Sequence, residues 1–228
     1  LGDVYKRQIQ ITRLADQQLP NVYVRRLLAG RDGDLWIGTD AGLAHWVAST
    51  DRIDRIGRTN GEPVREDINA IAQAADGRLW VGSSVGLYTR APGASGLQRV
   101  DVRAGSTLGL PHPTVIGLLI DRDGALWIDT ASGLALLQSW DGEYAEFAAV
   151  SARIGVGGQP FGANLLQDQQ GRIWTQRFVY EPATQSVYEF SRADGADLGT
   201  PWFRSYARTH DGLLLFGGSK GLMVVDPA

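Results

Sequence analysis

Two stretches of the chain match the G-x-S-x-G pattern of a nucleophile elbow: Gly82-Ser83-Ser84-Val85-Gly86 and Gly217-Gly218-Ser219-Lys220-Gly221. An elbow sets its serine on a sharp turn between a strand and a helix, within reach of a histidine base. Neither stretch leads into a helical pattern. The matching slot of another copy reads Gly38-Thr39-Asp40-Ala41-Gly42 and holds no serine. The glycines therefore read as hairpin turns, and no catalytic residue is expected. Lys220 follows a turn rather than a glycine-rich loop opening a helix, so no phosphate loop is expected either. His45, His112 and His210 stand at no metal-ligand spacing. Asp-Gly turns such as Arg31-Asp32-Gly33-Asp34 supply one or two carboxylates, where calcium takes six to eight oxygens. Cysteine is absent, which removes disulfides, thiolate metal sites and thiol nucleophiles together. The expectation is a protein without cofactor, metal or active site.

The elements behind these residues come from a repeat. Five copies of one phrase occur: Asp32-Gly33-Asp34-Leu35-Trp36-Ile37-Gly38, Asp76-Gly77-Arg78-Leu79-Trp80-Val81-Gly82, Asp123-Gly124-Ala125-Leu126-Trp127-Ile128-Asp129, Gln170-Gly171-Arg172-Ile173-Trp174-Thr175, and Asp211-Gly212-Leu213-Leu214-Leu215-Phe216-Gly217. The turn glycines lie 44, 47, 47 and 41 residues apart. A period in the mid-forties filled with short strands is the signature of propeller blades. Each unit reads as an apolar strand, an Asp-Gly turn of the two-residue hairpin kind, the Trp strand, a second glycine turn (Gly42, Gly86, Gly133, Gly221) and two further strands.

The fold expected is all-β, a propeller of about five four-stranded antiparallel blades, at roughly 22–57, 67–103, 113–150, 162–192 and 202–227. Blade four lacks its second Gly-Leu turn, and no fourth strand is recognisable after Val225. Residues 9–15 read as the outer strand of a preceding or closing blade. An incomplete arc of a larger propeller is expected, with a closed ring of five as the alternative. Trp36, Trp80, Trp127 and Trp174 are assigned to packing between blades. Burying an indole of 150–250 Å² contributes roughly 4–6 kcal/mol as an upper bound, and a single blade cannot cover both of its own faces. Gly38 and Gly82 are expected to let a neighbouring strand approach closely.

Composition agrees with a folded domain: 43% apolar and 21% charged residues, with 29 glycines to serve frequent turns. A net charge of −3 without any basic block argues against nucleic acid as a partner. No apolar run approaches the roughly 18 residues of a membrane span. Asp3-Val4-Tyr5-Lys6-Arg7-Gln8 resembles the translation of a transposon end used in preparing sequencing libraries, so residues 1–8 are read as a scar.

The phrase DGxLWIGTxxGL, as it stands at Asp32–Leu43, Asp76–Leu87 and Asp123–Leu134, resembles the two-component regulator propeller repeat. Asp129 departs from the pattern, which has glycine there, and Asp211–Leu222 followed by Val225-Asp226-Pro227 resembles a last blade. The resemblance covers about 200 residues. It implies a periplasmic sensor region followed by a β-sandwich, a membrane helix and a histidine kinase or diguanylate cyclase. A small-molecule or oligosaccharide ligand is implied as well, with a homodimer open as the state of the full-length receptor. A second resemblance, to streptogramin lyases with their G-x-[LI]-W strands, would imply an enzyme with a histidine and acidic residues at the channel mouth. Only His112 qualifies by position. A protein-interaction scaffold is a third reading, and Trp140-Asp141 does not recur as a WD repeat would.

Propellers bind at one mouth of the central channel, where the loops that precede each blade gather. Those loops carry Asn21 and Arg25 before blade one, Arg65 and Glu66 before blade two, and His112 before blade three. Asn164 precedes blade four, and Trp202 and Arg204 precede blade five. An aromatic beside polar forks suits a sugar, by stacking plus hydrogen bonds. Tyr23 and Phe161 are assigned to packing.

Overall fold

The computed structural model describes residues 18–30 and 33–228. The expected scar at 1–8 and the outer strand at 9–15 lie outside the described residues. Blade one comprises β1 (Val24–Ala29), β2 (Leu35–Thr39), β3 (Gly42–Val47) and β4 (Arg52–Ile56). Blade two comprises β5 (Ile68–Gln73), β6 (Leu79–Ser83), β7 (Leu87–Arg90) and β8 (Gln98–Arg99). Blade three holds β9 (Val115–Ile120), β10 (Leu126–Thr130), β11 (Gly133–Trp140) and β12 (Ala145–Ala149), followed by one helical turn, α1 (Val150–Arg153). Blade four has β13 (Leu166–Gln167), β14 (Ile173–Trp174), β15 (Phe178–Glu181) and β16 (Ser186–Glu189). Blade five has three strands, β17 (Pro201–Arg208), β18 (Leu214–Gly218) and β19 (Gly221–Val225). Strands pair in sequence order within every sheet, all antiparallel. This is a five-bladed β-propeller.

The first hairpin of blades two to five differs from the expected two-residue turn. In blade two the Gly77 amide donates to the Ala74 carbonyl and the Ala74 amide to the Arg78 carbonyl, enclosing three residues. Blades three, four and five repeat the pattern at Asp121–Ala125, Asp168–Arg172 and Thr209–Leu213. The reason lies in the backbone: Gly77 has φ +89° while Asp76 is not left-handed. A two-residue type I′ turn needs positive φ at both centres, whereas a type I turn followed by one left-handed glycine needs it once. The turn amides of blades three and four are capped by an aspartate that opens the loop, Asp121 or Asp168, rather than by the residue before the glycine. Asp168 accepts from the Gln170 and Arg172 amides, each at 2.9 Å, and from the Trp174 indole at 2.6 Å.

The core is divided among the gaps between blades. Trp36 packs with Ile68, Val81 and Tyr88 of blade two, and Trp80 with Val115, Ile128 and Phe147 of blade three. Trp127 packs with Phe161, Ile173 and Tyr180 of blade four, and Trp174 with Leu198, Leu214 and Phe216 of blade five. All four indoles are buried. Gly38 and Gly82 sit where the next blade presses in: an added Cβ would meet Ile68 Cγ2 at 2.7 Å and Val115 Cγ1 at 2.4 Å respectively.

Gly117 is tighter still, because its added Cβ would meet the Ala163 carbonyl oxygen at 2.3 Å. A backbone atom cannot rotate away as a side chain can. Gly117→Ala should therefore cost about 1–3 kcal/mol of stability in urea titrations. Gly109→Ala, which meets nothing closer than 4.0 Å, should stay within ~0.5 kcal/mol. Equal effects would show that the blade three–four gap is looser than described.

Candidate functional site

One irregularity recurs where the innermost strand of a blade begins. In blade one Val24 pairs with Thr39 and Arg26 with Gly38, leaving Arg25 as an extra residue. In blade two Ile68 pairs with Ser83 and Ala70 with Gly82, leaving Asn69 extra. Blade three leaves Ile116 extra in the same way. In blade five the pairing jumps from Pro201–Gly218 to Tyr206–Phe216, so the bulge expels Trp202 to Ser205. A bulge redirects the side chain of its extra residue. Here the redirected polar residues meet.

Asn69 is the hub. Its Oδ1 accepts from Arg204 Nη2 at 3.1 Å and from Arg25 Nη1 at 3.3 Å, and its Nδ2 donates to the Val115 carbonyl at 3.1 Å. Blades one, two, three and five are thereby joined at one mouth. Arg25 also pairs with Asp40, in the β2–β3 turn, and with Asp67 at 2.9 Å. Asn164, buried, donates to the Trp202 carbonyl at 2.8 Å and accepts from the Arg204 amide at 2.7 Å. Those two bonds hold Arg204 at φ +67°, a left-handed conformation unusual for a side-chain-bearing residue. Burial, reinforced by the neighbouring cations of Arg25 and Arg26, holds the Arg204 guanidinium below its ordinary pKa. Trp202 stands beside this network with 56% of its surface exposed. The arrangement offers an aromatic plane and several fixed donors at one place.

Of the residues singled out from sequence, Arg25, Asn164, Trp202 and Arg204 come together. The others do not join them. Asn21 accepts its own turn's Tyr23 amide at 2.8 Å. Arg65 lines a separate groove of about 500 Å³ with Pro20, Arg55, Pro63 and Val64. Glu66 pairs with Arg58 and accepts from the Tyr88 hydroxyl at 3.2 Å. Burial pushes the Glu66 carboxyl up, but the Glu66 and Arg65 amides and the Arg58 cation outweigh it, so it lies below its ordinary value. His112 spends Nδ1 on the Thr114 amide, at 3.0 Å. Phe161 is buried in the blade three–four core, whereas Tyr23 is exposed. Sequence reasoning missed Asn69, Asp40, Asp67 and Arg26. The available signal for Asn69 was a lone amide inside the apolar run Ile68-Asn69-Ala70-Ile71.

The elbow-like stretches are braced turns. Ser84, at the nucleophile position, gives its amide to the Asp67 carbonyl and its carbonyl to the Thr114 hydroxyl. Its neighbour Ser83, buried, donates to the Gly86 carbonyl at 2.9 Å and accepts from the Val85 and Gly86 amides. Thr39 and Thr130 make the same bond to Gly42 and Gly133, at 2.8 Å. Ser219 accepts from the Thr200 amide. Among the described residues no group of three His, Asp or Glu could hold a metal ion, and no helix is long and apolar enough to cross a membrane.

Comparison with known proteins gives the fold and then a repeat match. The fold is the β-propeller, shared with the following solved structures. The extracellular domain described for the hybrid two-component system BT3049 of B. thetaiotaomicron superposes with a TM-score of 0.73 at 20% identity, over 99% of this chain and 30% of that one. That of the one-component system BT4673 from the same organism gives 0.72 at 21% identity, over 90% and 29%. This chain thus spans under a third of either. Virginiamycin B lyase of Staphylococcus aureus, a fold-level likeness, gives 0.63 at 13% identity, over 96% and 74%. A search of curated proteins found no sequence match. The chain carries repeats of the two-component regulator propeller family, whose model matches residues 18–41 and 64–84.

Proposed function

We propose that this propeller is the extracytoplasmic ligand-sensing part of a bacterial signal-transduction receptor, that it binds an oligosaccharide at the mouth around Asn69, and that it performs no catalysis itself. The observation that carries the reading is the convergence of the bulge residues Arg25, Asn69 and Arg204 beside exposed Trp202, in a chain with two-component regulator propeller repeats. Bulges forfeit ladder hydrogen bonds, so several of them aiming polar groups at one mouth suit a binding site better than a scaffold. In this reading the receptor continues into a β-sandwich, a membrane helix and a kinase or cyclase. The propeller is also an arc of a larger ring, for blade five turns Leu222 and Val224 outward, both exposed, beside half-buried Leu215.

The test is a thermal-shift screen of this chain against oligosaccharides. A ligand present at about a hundred times its Kd should add roughly 2.7 kcal/mol of stability. Trp202→Ala should remove that gain while leaving the unliganded midpoint in place. A screen without any shift, or shifts that Trp202→Ala leaves unchanged, would overturn this placement of the site.

A further inference from the structure

The arginines of this mouth are unequally compensated, although Asp40 and Asp67 stand among them. Arg25 and Arg204 share the Asn69 amide oxygen, and Arg26 lies close enough for its cation to act on Arg204. Both aspartates pair with Arg25. Among the described residues, Arg204 and Arg26 have no carboxylate partner: Arg204 is held by the Asn69 amide oxygen and the Asn69 carbonyl. Arg26 donates to the Tyr206 hydroxyl at 2.6 Å and lies 5.1 Å from the centre of that ring. Its Nε is buried with no partner.

Two half-buried guanidiniums held only by neutral oxygens are poorly compensated. A carboxylate can take two parallel bonds from one guanidinium, which a single amide or hydroxyl oxygen cannot. The backbone at Arg204 is strained as well. A left-handed arginine fixed by a buried asparagine persists only where surrounding contacts impose it. The bulge of β17 thus places a cation at the mouth that the strand ladder would otherwise have directed elsewhere. The planar fork of arginine matches a carboxylate in geometry as well as in charge.

We propose that this mouth selects carboxylate-bearing ligands, with Arg204 and Arg26 as the groups that take the carboxylate and Trp202 as the plane against which the attached ring stacks. The inference deepens the sensing function above and rests on it for the sugar part alone. An acidic sugar of the uronic acid class satisfies both halves of the site: its ring supplies the apolar face, its carboxylate the missing anion. Asn69 and Asn164 act as positioning residues for Arg204, not as ligand contacts.

The experiment is calorimetric titration of this chain with three probes: trigalacturonic acid, neutral galactotriose and citrate. The expected result is binding of trigalacturonic acid at least about tenfold tighter than galactotriose, weakened further by added salt. Arg204→Gln and Arg26→Gln should each weaken it by about tenfold or more. If one of them fails to fold, the other variant and the wild-type acid-to-neutral ratio still decide the matter. Equal affinity for the acidic and neutral trisaccharides would overturn the carboxylate preference and leave sugar sensing standing. Binding of citrate alone, lost in Arg204→Gln, would keep the anion site and overturn sugar sensing. Silence from all three probes, or acid binding indifferent to both arginines, would overturn the proposal.

Discussion

Replacing Trp127 by alanine should cost about 3–5 kcal/mol of unfolding free energy, whereas replacing Trp202 by alanine should cost less than ~0.5 kcal/mol. Trp127 is buried in the gap between blades three and four, against Phe161, Ile173 and Tyr180. The Tyr180 ring meets it edge-on with centroids 6.0 Å apart. Its indole N–H donates to Asp121 at 2.8 Å, and the same carboxylate holds the turn amides of Asp123 and Ala125. Alanine therefore removes the largest apolar body of that gap and leaves a cavity, and it frees an aspartate that braces the preceding hairpin. Trp127→Phe separates the two contributions, since it keeps most of the ring and loses the N–H; it should cost about 1–2 kcal/mol. Urea denaturation followed by circular dichroism measures all three variants. Because the apolar core is divided among the gaps between adjacent blades, Trp127→Ala should also broaden the transition as blade four loosens from blade three. A loss below about 1 kcal/mol with an unchanged slope would mean that this indole is not a principal inter-blade contact.

That contrast between two tryptophans was legible in the sequence, and for a physical reason. Trp127 recurs at a fixed place after an Asp-Gly turn, and a residue recurring at the repeat's own period answers to the need every blade shares: covering its face. Trp202 recurs nowhere, so its role belongs to one blade. Strand order followed from the same periodicity, as did the close approach at Gly38 and Gly82. The turn type did not, because Asp-Gly suits both a type I′ centre and the end of a three-residue loop; only the backbone at Asp76, Asp123 and Asp211 separates them. The site was partly legible. Loop position picked out Arg25, Asn164, Trp202 and Arg204, but it equally picked out Glu66 and His112, whose polar groups are spent on Arg58 and on Thr114. Asn69 stayed hidden because a bulge is a mismatch between two strands, and neither strand read alone records the register.

Asp129 carries the other large effect, and here a departure from the repeat is the clue. Where blades one and two have Gly38 and Gly82, blade three has a fully buried aspartate. Its Oδ1 accepts from the Phe161 amide at 2.9 Å, and its Oδ2 from the Gly162 and Ala163 amides at 2.8 and 2.6 Å. The carboxylate thus clasps the loop entering blade four, filling the space that Ile68 and Val115 fill in the earlier gaps. Asp129→Ala strands three buried amides, each costing about 1–3 kcal/mol, so a loss of about 3 kcal/mol or more is expected. The pH dependence tells which force governs the group. Burial pushes the carboxyl up to about 6 from 3.8, against the downward pull of those amides. With the folded value above the unfolded one, the native state holds the proton more tightly. The contribution is complete below pH 4 and is lost as pH rises through about 6, by ~3 kcal/mol. Asp129→Asn cannot titrate, and distant carboxylates act equally on both proteins. The stability of wild type minus that of Asp129→Asn, measured by urea titration from pH 4 to pH 8, should therefore fall by about 3 kcal/mol as pH rises. A signed difference that rises instead would mean that the three amides outweigh burial and that the loop is held by a charged aspartate throughout.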